Sequence, residues 1–300
     1  MATSPHILPD LLAGLLLIIA GSALFTRSIE STVERFFDNK GLGLRVLGNL
    51  SLSLPELILP LFAFLAPNVG STAIDAGTGA LFGPPIFLFL FLVPLVLFIG
   101  RPSIRTLLAE SPVLFLGLAL ALLAMGKGML LRLVLATVLT GLYLWTLLRL
   151  PSDQQEESEE PRDNSTPPPF RIRDGIYLVA GTLLMTFGSH IFLTGIDLVS
   201  RHQGSRAFWI ALVLTPFATE APELLTLIHF LRKRSVLQSF SILWGSIHFQ
   251  MTVSIASRLV ASPWKPSASS FVAGSALLSF LVLSFTLGRI RRTVLRSRAS

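Results

Sequence analysis

Ser51-Leu-Ser-Leu-Pro-Glu-Leu57 and Phe217-Ala-Thr-Glu-Ala-Pro-Glu-Leu224 are the two stretches on which the reading of this chain turns. Each sets Pro-Glu-Leu inside a long apolar run, where a carboxylate and a residue without an amide donor are both costly. One such interruption is compatible with many membrane helices. The same interruption in both halves points to an internally duplicated membrane transporter, with its site where the two copies meet.

The surrounding composition agrees. Hydrophobic residues make up 52% of the chain and charged residues 14%, with a mean hydropathy of +0.70. Soluble domains carry about 25% charged residues, so the chain reads as an all-α polytopic membrane protein. The absence of cysteine excludes disulfides, thiolate metal sites and thiol catalysis. A net charge of +7 invites a nucleic-acid reading, but the basic residues stand at the ends of apolar runs, as topology signals do. No nucleic acid is therefore expected as a partner. Met1 to Asp10 lack the positive region of a signal peptide, so the first apolar run is expected to be retained as a helix.

Runs long enough to cross roughly 30 Å of hydrocarbon occur near 8–25, 42–66, 73–99, 106–124, 129–150, 175–199, 207–231, 236–261 and 271–288. The expected fold is an inverted-repeat bundle of nine to ten transmembrane helices. Residues 1–150 form a first repeat of five spans, and 173–300 a second repeat of four spans with a basic tail. Between them, 151–172 is an acidic, proline-rich stretch with Glu156, Glu157, Glu159 and Glu160, whose composition suits a disordered cytoplasmic linker. The odd number of spans before the linker inverts the second repeat relative to the first. Ala20-Gly21-Ser22 in the first span is echoed by Ala180-Gly181-Thr182 in the sixth. A fifth span of the second repeat is missing, which leaves a face for lipid or another subunit. With the N-terminus outside, eighteen of the 24 basic residues fall inside and six outside. The linker and C-terminus are then cytoplasmic, and the membrane is the inner or plasma membrane.

Of the 17 acidic residues, only Glu56, Glu220 and Glu223 lie well within apolar surroundings. Such a carboxylate is protonated, paired with a cation or facing water. No Lys or Arg stands within a helical turn of any of the three, so a transported cation is a candidate partner. A protonated, hydrogen-bonded glutamate is the competing structural explanation, and repetition favours the functional one. Pro55 and Pro222 free the carbonyls near Ser51 and Ala218, which is tolerated at depth where backbone lines a cavity. Carbonyls beside carboxylates make an all-oxygen environment suited to hard cations. Ser53 lies three residues before Glu56, and Thr219 and Glu220 lie four and three before Glu223, on shared helix faces. Ser246 and Gln250 share a face of the eighth span. The corresponding Gly77-Thr-Gly-Ala-Leu-Phe-Gly-Pro-Pro85 has little left to coordinate with. His190, His229 and His248 show no metal-site spacing and read as packing or interfacial residues. No nucleophile elbow, phosphate loop or HExxH sequence is present, so an enzyme is not expected.

These residues resemble the cation/Ca²⁺ exchanger superfamily, which includes the sodium/calcium exchangers. Leu52-Ser-Leu-Pro-Glu56 and Thr219-Glu-Ala-Pro-Glu223 are similar to its second-helix signature. Gly245-Ser-Ile-His-Phe-Gln250 is similar to its third-helix signature, with Gly83-Pro-Pro-Ile-Phe-Leu88 as a degenerate counterpart. The resemblance implies a mid-membrane site built by helices 2, 3, 7 and 8, alternating access by the long first and sixth helices, and secondary active exchange of Ca²⁺ against Na⁺ or H⁺. Glu56 and Glu223 would bind Ca²⁺, and Ser53, Thr219, Ser246 and Gln250 would add oxygen ligands. Leu52, Pro84 and Leu88 depart from the family pattern, and Glu220 stands where a serine is usual. No cofactor is implied; the partners are the bilayer and inorganic cations, and the face left by the missing span is open to a second copy of the chain as homo-oligomer. The departures keep two alternatives in view: a proton-coupled exporter of another solute, and a transport-inactive scaffold.

Overall fold

The computed structural model describes residues 7–36, 40–65, 71–99, 104–148, 172–203, 207–232, 236–261, 264 and 267–297. No strand occurs among the described residues. Hydrocarbon offers no partner to a backbone amide or carbonyl, and a helix satisfies both within one segment. The elements are α1 (Ile7–Phe36), α2 (Lys40–Leu65), α3 (Ser71–Phe87), α4 (Val93–Ile99), α5 (Ile104–Ala124) and α6 (Met129–Leu148). The second half contributes α7 (Ile172–Gln203), α8 (Ala207–Thr219), α9 (Ala221–Arg232), α10 (Val236–Phe249), α11 (Ile255–Ala261) and α12 (Ala268–Ser297). A π turn at Leu88–Leu92 joins α3 to α4, and another at Gln250–Ser254 joins α10 to α11. With α8 and α9 interrupted only at Glu220, the described helices form nine rods at the nine apolar runs. The acidic stretch expected at 151–172 lies outside the described residues apart from Ile172, which opens α7.

Among the described residues, four helical segments are long and apolar enough to cross a membrane: Leu8–Phe25, Ser71–Leu97, Met129–Leu147 and Ile172–Ile196. The two longest helices extend well beyond their apolar runs. At 1.5 Å per residue, the 30 residues of α1 and the 32 of α7 each exceed a hydrocarbon layer of about 30 Å, which requires tilt or protrusion. Hydropathy sees the part in lipid; the polar continuation keeps helical geometry because its backbone is paired.

These long helices lie against each other along a seam of glycines. Gly14 and Gly21 are seven residues apart, as are Gly181, Gly188 and Gly195, so each set returns to one face every two turns. A Cβ built on Gly21 would stand 2.7 Å from the Gly181 carbonyl oxygen, and one on Gly181 would stand 2.7 Å from the Gly21 oxygen. Backbones this close require hydrogen at the side-chain position. The reciprocity locates the relation between the halves, because these are the equivalent residues of the echoed tripeptides, 160 apart (181 minus 21). The same offset pairs Gly14 with Asp174 and Ser28 with Gly188. Accordingly, the approach of Gly188 to Gly14 is mirrored by the Ser28 hydroxyl donating to the Asp174 carbonyl. The pseudo-twofold relation of an inverted repeat passes through this seam.

A second seam joins α3 to α8. A Cβ on Gly79 would come within 2.1 Å of the Phe208 carbonyl oxygen, and one on Gly83 within 2.4 Å of the Leu212 oxygen. The glycine-rich stretch that looks eroded in sequence is therefore a packing surface. Around it, Phe82, Leu88 and Val93 pack with Leu114, Ile247 and Leu277 in the largest apolar cluster. That cluster fixes α3, α5, α10 and α12 around the interrupted segment of α8 and α9.

Candidate cation site

Proline chemistry explains why the chain is irregular where its acids lie. Pro222 has no amide hydrogen, so the carbonyl of Ala218 loses its helical donor, and the residue before proline is pushed away from helical geometry. The helix opens at Glu220. The ladder resumes on both sides, with the Glu220 amide donating to Pro216 O at 2.9 Å and the Leu224 amide donating to Glu220 O at 3.0 Å. Glu223 then sits in the first turn of α9. Its carboxylate lies at a helix amino end, where the backbone dipole carries partial positive charge. The first half differs. α2 continues as a helix through Pro55 and Pro60, so the expected pair of equal interruptions is a continuous helix on one side and a broken one on the other. The position three residues before the glutamate is Ser53 in α2 and Glu220 at the break; Ser53 reaches Ser246 on α10, and Glu220 reaches Gln250 in the π turn that follows it.

Glu56, Glu220 and Glu223 are each at most 2% exposed. One carboxylate oxygen from each lies within 4.8 Å of the others. Gln250 Nε2 donates to Glu220 Oε1 at 2.8 Å and to Ser246 Oγ at 3.2 Å. The Ser53 hydroxyl donates to Ser246 Oγ at 3.2 Å. This chain of contacts runs from α2 through α10 and its π turn to the break before α9. Both oxygens of Glu56, both of Glu223, Glu220 Oε2 and Gln250 Oε1 have no hydrogen-bond partner. Six of the seven residues singled out from the sequence thus meet in one buried cluster. The seventh, Thr219, is fully buried on α8, but its hydroxyl donates along its own helix to Thr215 O at 3.3 Å.

Electrostatics states what this cluster needs. Two unit charges 4.8 Å apart repel by about 3–4 kcal/mol at an effective dielectric of about 20. Three ionised carboxylates at that separation are untenable without cations or protons among them. The available atoms are carboxylate, hydroxyl and amide oxygens, the donor set of hard cations.

Thr215 is a polar residue that sequence reasoning passed over. It is fully buried, its hydroxyl has no hydrogen-bond partner, and it lies one turn before Thr219. Its position at i−4 from Thr219 on the same helix face was the available signal. The histidines pack elsewhere: His248 Nδ1 contacts Trp244 O at 2.8 Å, and His190 meets the Phe62 ring edge-on at 5.5 Å. The side chain of His229 lies outside the described residues. Away from the cluster, Arg258 is buried with its guanidinium carbon 4.5 Å from the Phe64 ring centroid and 5.3 Å from that of Trp264. Arg132 donates to Leu259 O at 3.0 Å beside it.

The sodium/calcium exchanger protein family model matches residues 9–150 and 175–298. No curated protein matches the chain in sequence. Solved structures do match it in fold. The H⁺/Ca²⁺ exchanger CAX superposes with a TM-score of 0.68 at 20% identity, covering 93% of this chain and 74% of its own. The Ca²⁺/H⁺ antiporter protein YfkE gives 0.66 at 17% identity, covering 94% and 85%. The sodium-calcium exchanger NCX_Mj gives 0.56 at 16% identity, covering 94% and 91%. At these identities the likeness is one of fold.

Proposed function

This chain belongs to the sodium/calcium exchanger protein family, and from that premise we propose that it is a secondary active antiporter moving Ca²⁺ across a membrane against Na⁺ or H⁺. The observation that carries the reading is the buried triad of Glu56, Glu220 and Glu223, whose oxygens lie within 4.8 Å of one another. Glu56 and Glu223 bind the ion, and Glu220, Ser53, Ser246 and Gln250 supply further oxygens. Thr219 contributes through its oxygen lone pairs. A loaded site has most of its charge offset and crosses; an empty site is an uncompensated cluster of charge and resists crossing. Alternation between the two faces is the work of two inverted repeats, residues 1–150 and 173–300, joined by the stretch 151–172. The charge bias sets the N-terminus outside and the joining stretch in the cytoplasm of an inner or plasma membrane.

Proteoliposomes loaded with Na⁺, or poised with a proton gradient, test this by uptake of ⁴⁵Ca²⁺. Uptake is expected in the native protein and is expected to vanish when Glu56→Gln and Glu223→Gln are combined. Uptake that survives the double substitution would sink the assignment. One observation favours H⁺ over Na⁺ as the driving ion: Glu220 adds a third buried carboxylate within 4.8 Å of Glu56 and Glu223, a charge that a proton offsets. On that version, flux follows the pH gradient and is indifferent to Na⁺.

A further inference from the structure

The two π turns align the halves without reference to the glutamates. Leu88 opens the first and Gln250 opens the second. On that register Leu88 is the counterpart of Gln250, and Pro84, four residues earlier, is the counterpart of Ser246. The second-half rod brings buried Ser246, Gln250, Thr252 and Ser254 to its middle. The first-half rod brings none: from Gly79 through Leu97 no side chain carries an oxygen or nitrogen. Thr78, just before that stretch, donates to Ile74 O at 2.7 Å within its own helix. Leu88 is fully buried in the apolar cluster that also holds Ile247 and Met251. Gly79 and Gly83 press the same rod's backbone onto α8, where even a Cβ has no room.

We infer that the carboxylate cluster is coordinated from one side only and holds one cation at a time, with Pro84 and Leu88 forming an apolar wall that excludes a second. The inference rests on the antiporter reading and specifies its ion number. Three carboxylates and the neutral oxygens of Ser53, Thr219, Ser246 and Gln250 are enough for one shell of about six to eight oxygens. They are too few for two shells. A second desolvated cation placed toward α3 would face proline and leucine hydrocarbon with no side-chain oxygen to replace its water. The same asymmetry selects for charge density: a single divalent ion offsets more of the three carboxylates than a single monovalent ion.

The test is equilibrium binding of ⁴⁵Ca²⁺ to the full-length protein in detergent, followed by displacement with Na⁺. The expected result is one Ca²⁺ per chain; Na⁺ either leaves it bound, as in a proton-driven exchanger, or displaces it with a Hill coefficient of about 1. Two or more Ca²⁺ per chain, or Na⁺ displacement with a Hill coefficient of about 2 or above, would overturn the inference and leave the antiporter reading standing. One bound Ca²⁺ in a protein that moves none in proteoliposomes would support the single site and sink the antiporter reading. Failure to bind Ca²⁺, Sr²⁺ or Mn²⁺ would sink both.

Discussion

At the scale of single residues, the site is a balance between three carboxylates and the few groups able to offset them. Glu56 and Glu223 have no hydrogen-bond partner for either oxygen, so their interaction with a bound cation is not shared with the protein. Glu56→Gln or Glu223→Gln keeps the shape and removes the charge. Each is expected to weaken Ca²⁺ binding by about 100-fold, the scale of one lost charge-assisted contact of about 3 kcal/mol. Glu220 already spends one oxygen on Gln250, so Glu220→Gln is expected to cost less, about 10-fold. Calorimetric titration of each variant with Ca²⁺ measures both, and an order of effects led by Glu220 would contradict this geometry. Gln250→Leu removes the donor to Glu220 and to Ser246 together. Ser246 keeps the Ser53 hydroxyl, but leaving the buried Glu220 oxygen unpaired is expected to lower stability by about 1–3 kcal/mol, read as an earlier thermal unfolding transition in detergent. Most of these residues were legible in the sequence, because a carboxylate in an apolar run has few explanations and helical spacing names its neighbours. Thr215 was not, because a lone hydroxyl in an apolar helix ordinarily donates back along its own backbone, as Thr219 does.

At the scale of elements, the two halves use similar sequences for unlike ends. The glycines of α3 carry no ligand; they let its backbone lie on α8, and that contact exists only between residues about 130 apart in the chain, Gly79 with Phe208 (208 minus 79 is 129). Local sequence shows the glycines but not the helix they meet, so the seam could not be read beforehand. The π turns were unreadable for a related reason: one extra residue in a turn leaves hydrophobicity unchanged and has no composition signature. The break at Glu220 and the continuity of α2 through Pro55 face different partners across the bundle, Gln250 for Glu220 and Ser246 for Ser53, which local sequence does not show. The seam makes a controlled prediction. Gly79→Ala puts a Cβ at 2.1 Å from a backbone oxygen, whereas Gly141→Ala on α6 meets nothing within 4 Å. Both gain about 1 kcal/mol of helix propensity. Gly79→Ala is nevertheless expected to destabilise the protein by about 1–3 kcal/mol through overpacking, and Gly141→Ala to be neutral or stabilising. Unfolding midpoints of the two variants, measured side by side, decide it; equal midpoints would mean that α3 and α8 are not held together by this contact.

At the scale of the whole molecule, the duplication was visible in two glutamates and in the echo of Ala20-Gly21-Ser22 with Ala180-Gly181-Thr182. The structure adds that the echoed glycines touch each other, so the pseudo-twofold relation passes between α1 and α7. An inverted repeat has a definite consequence for orientation. Five rods precede the acidic stretch among the described residues, α3 and α4 counting as one, so the turn between α5 and α6 and the stretch after α6 must open on opposite sides of the bilayer. On the orientation proposed from the Lys and Arg bias, the first opens to the outside and the second to the cytoplasm. The chain contains no cysteine, so a single introduced thiol reports its own side without background. Gly128 lies in the α5–α6 turn, is exposed, and has nothing within 4 Å of a built Cβ, so Gly128→Cys leaves the fold undisturbed. Ser158→Cys places the second probe among the acidic residues 151–172. A membrane-impermeant maleimide is expected to label Gly128→Cys in intact cells and Ser158→Cys only in inverted vesicles. The reverse pattern would invert the orientation while keeping the repeat. Labelling of both from the same side would require an even number of crossings between them, which the single rod α6 does not supply.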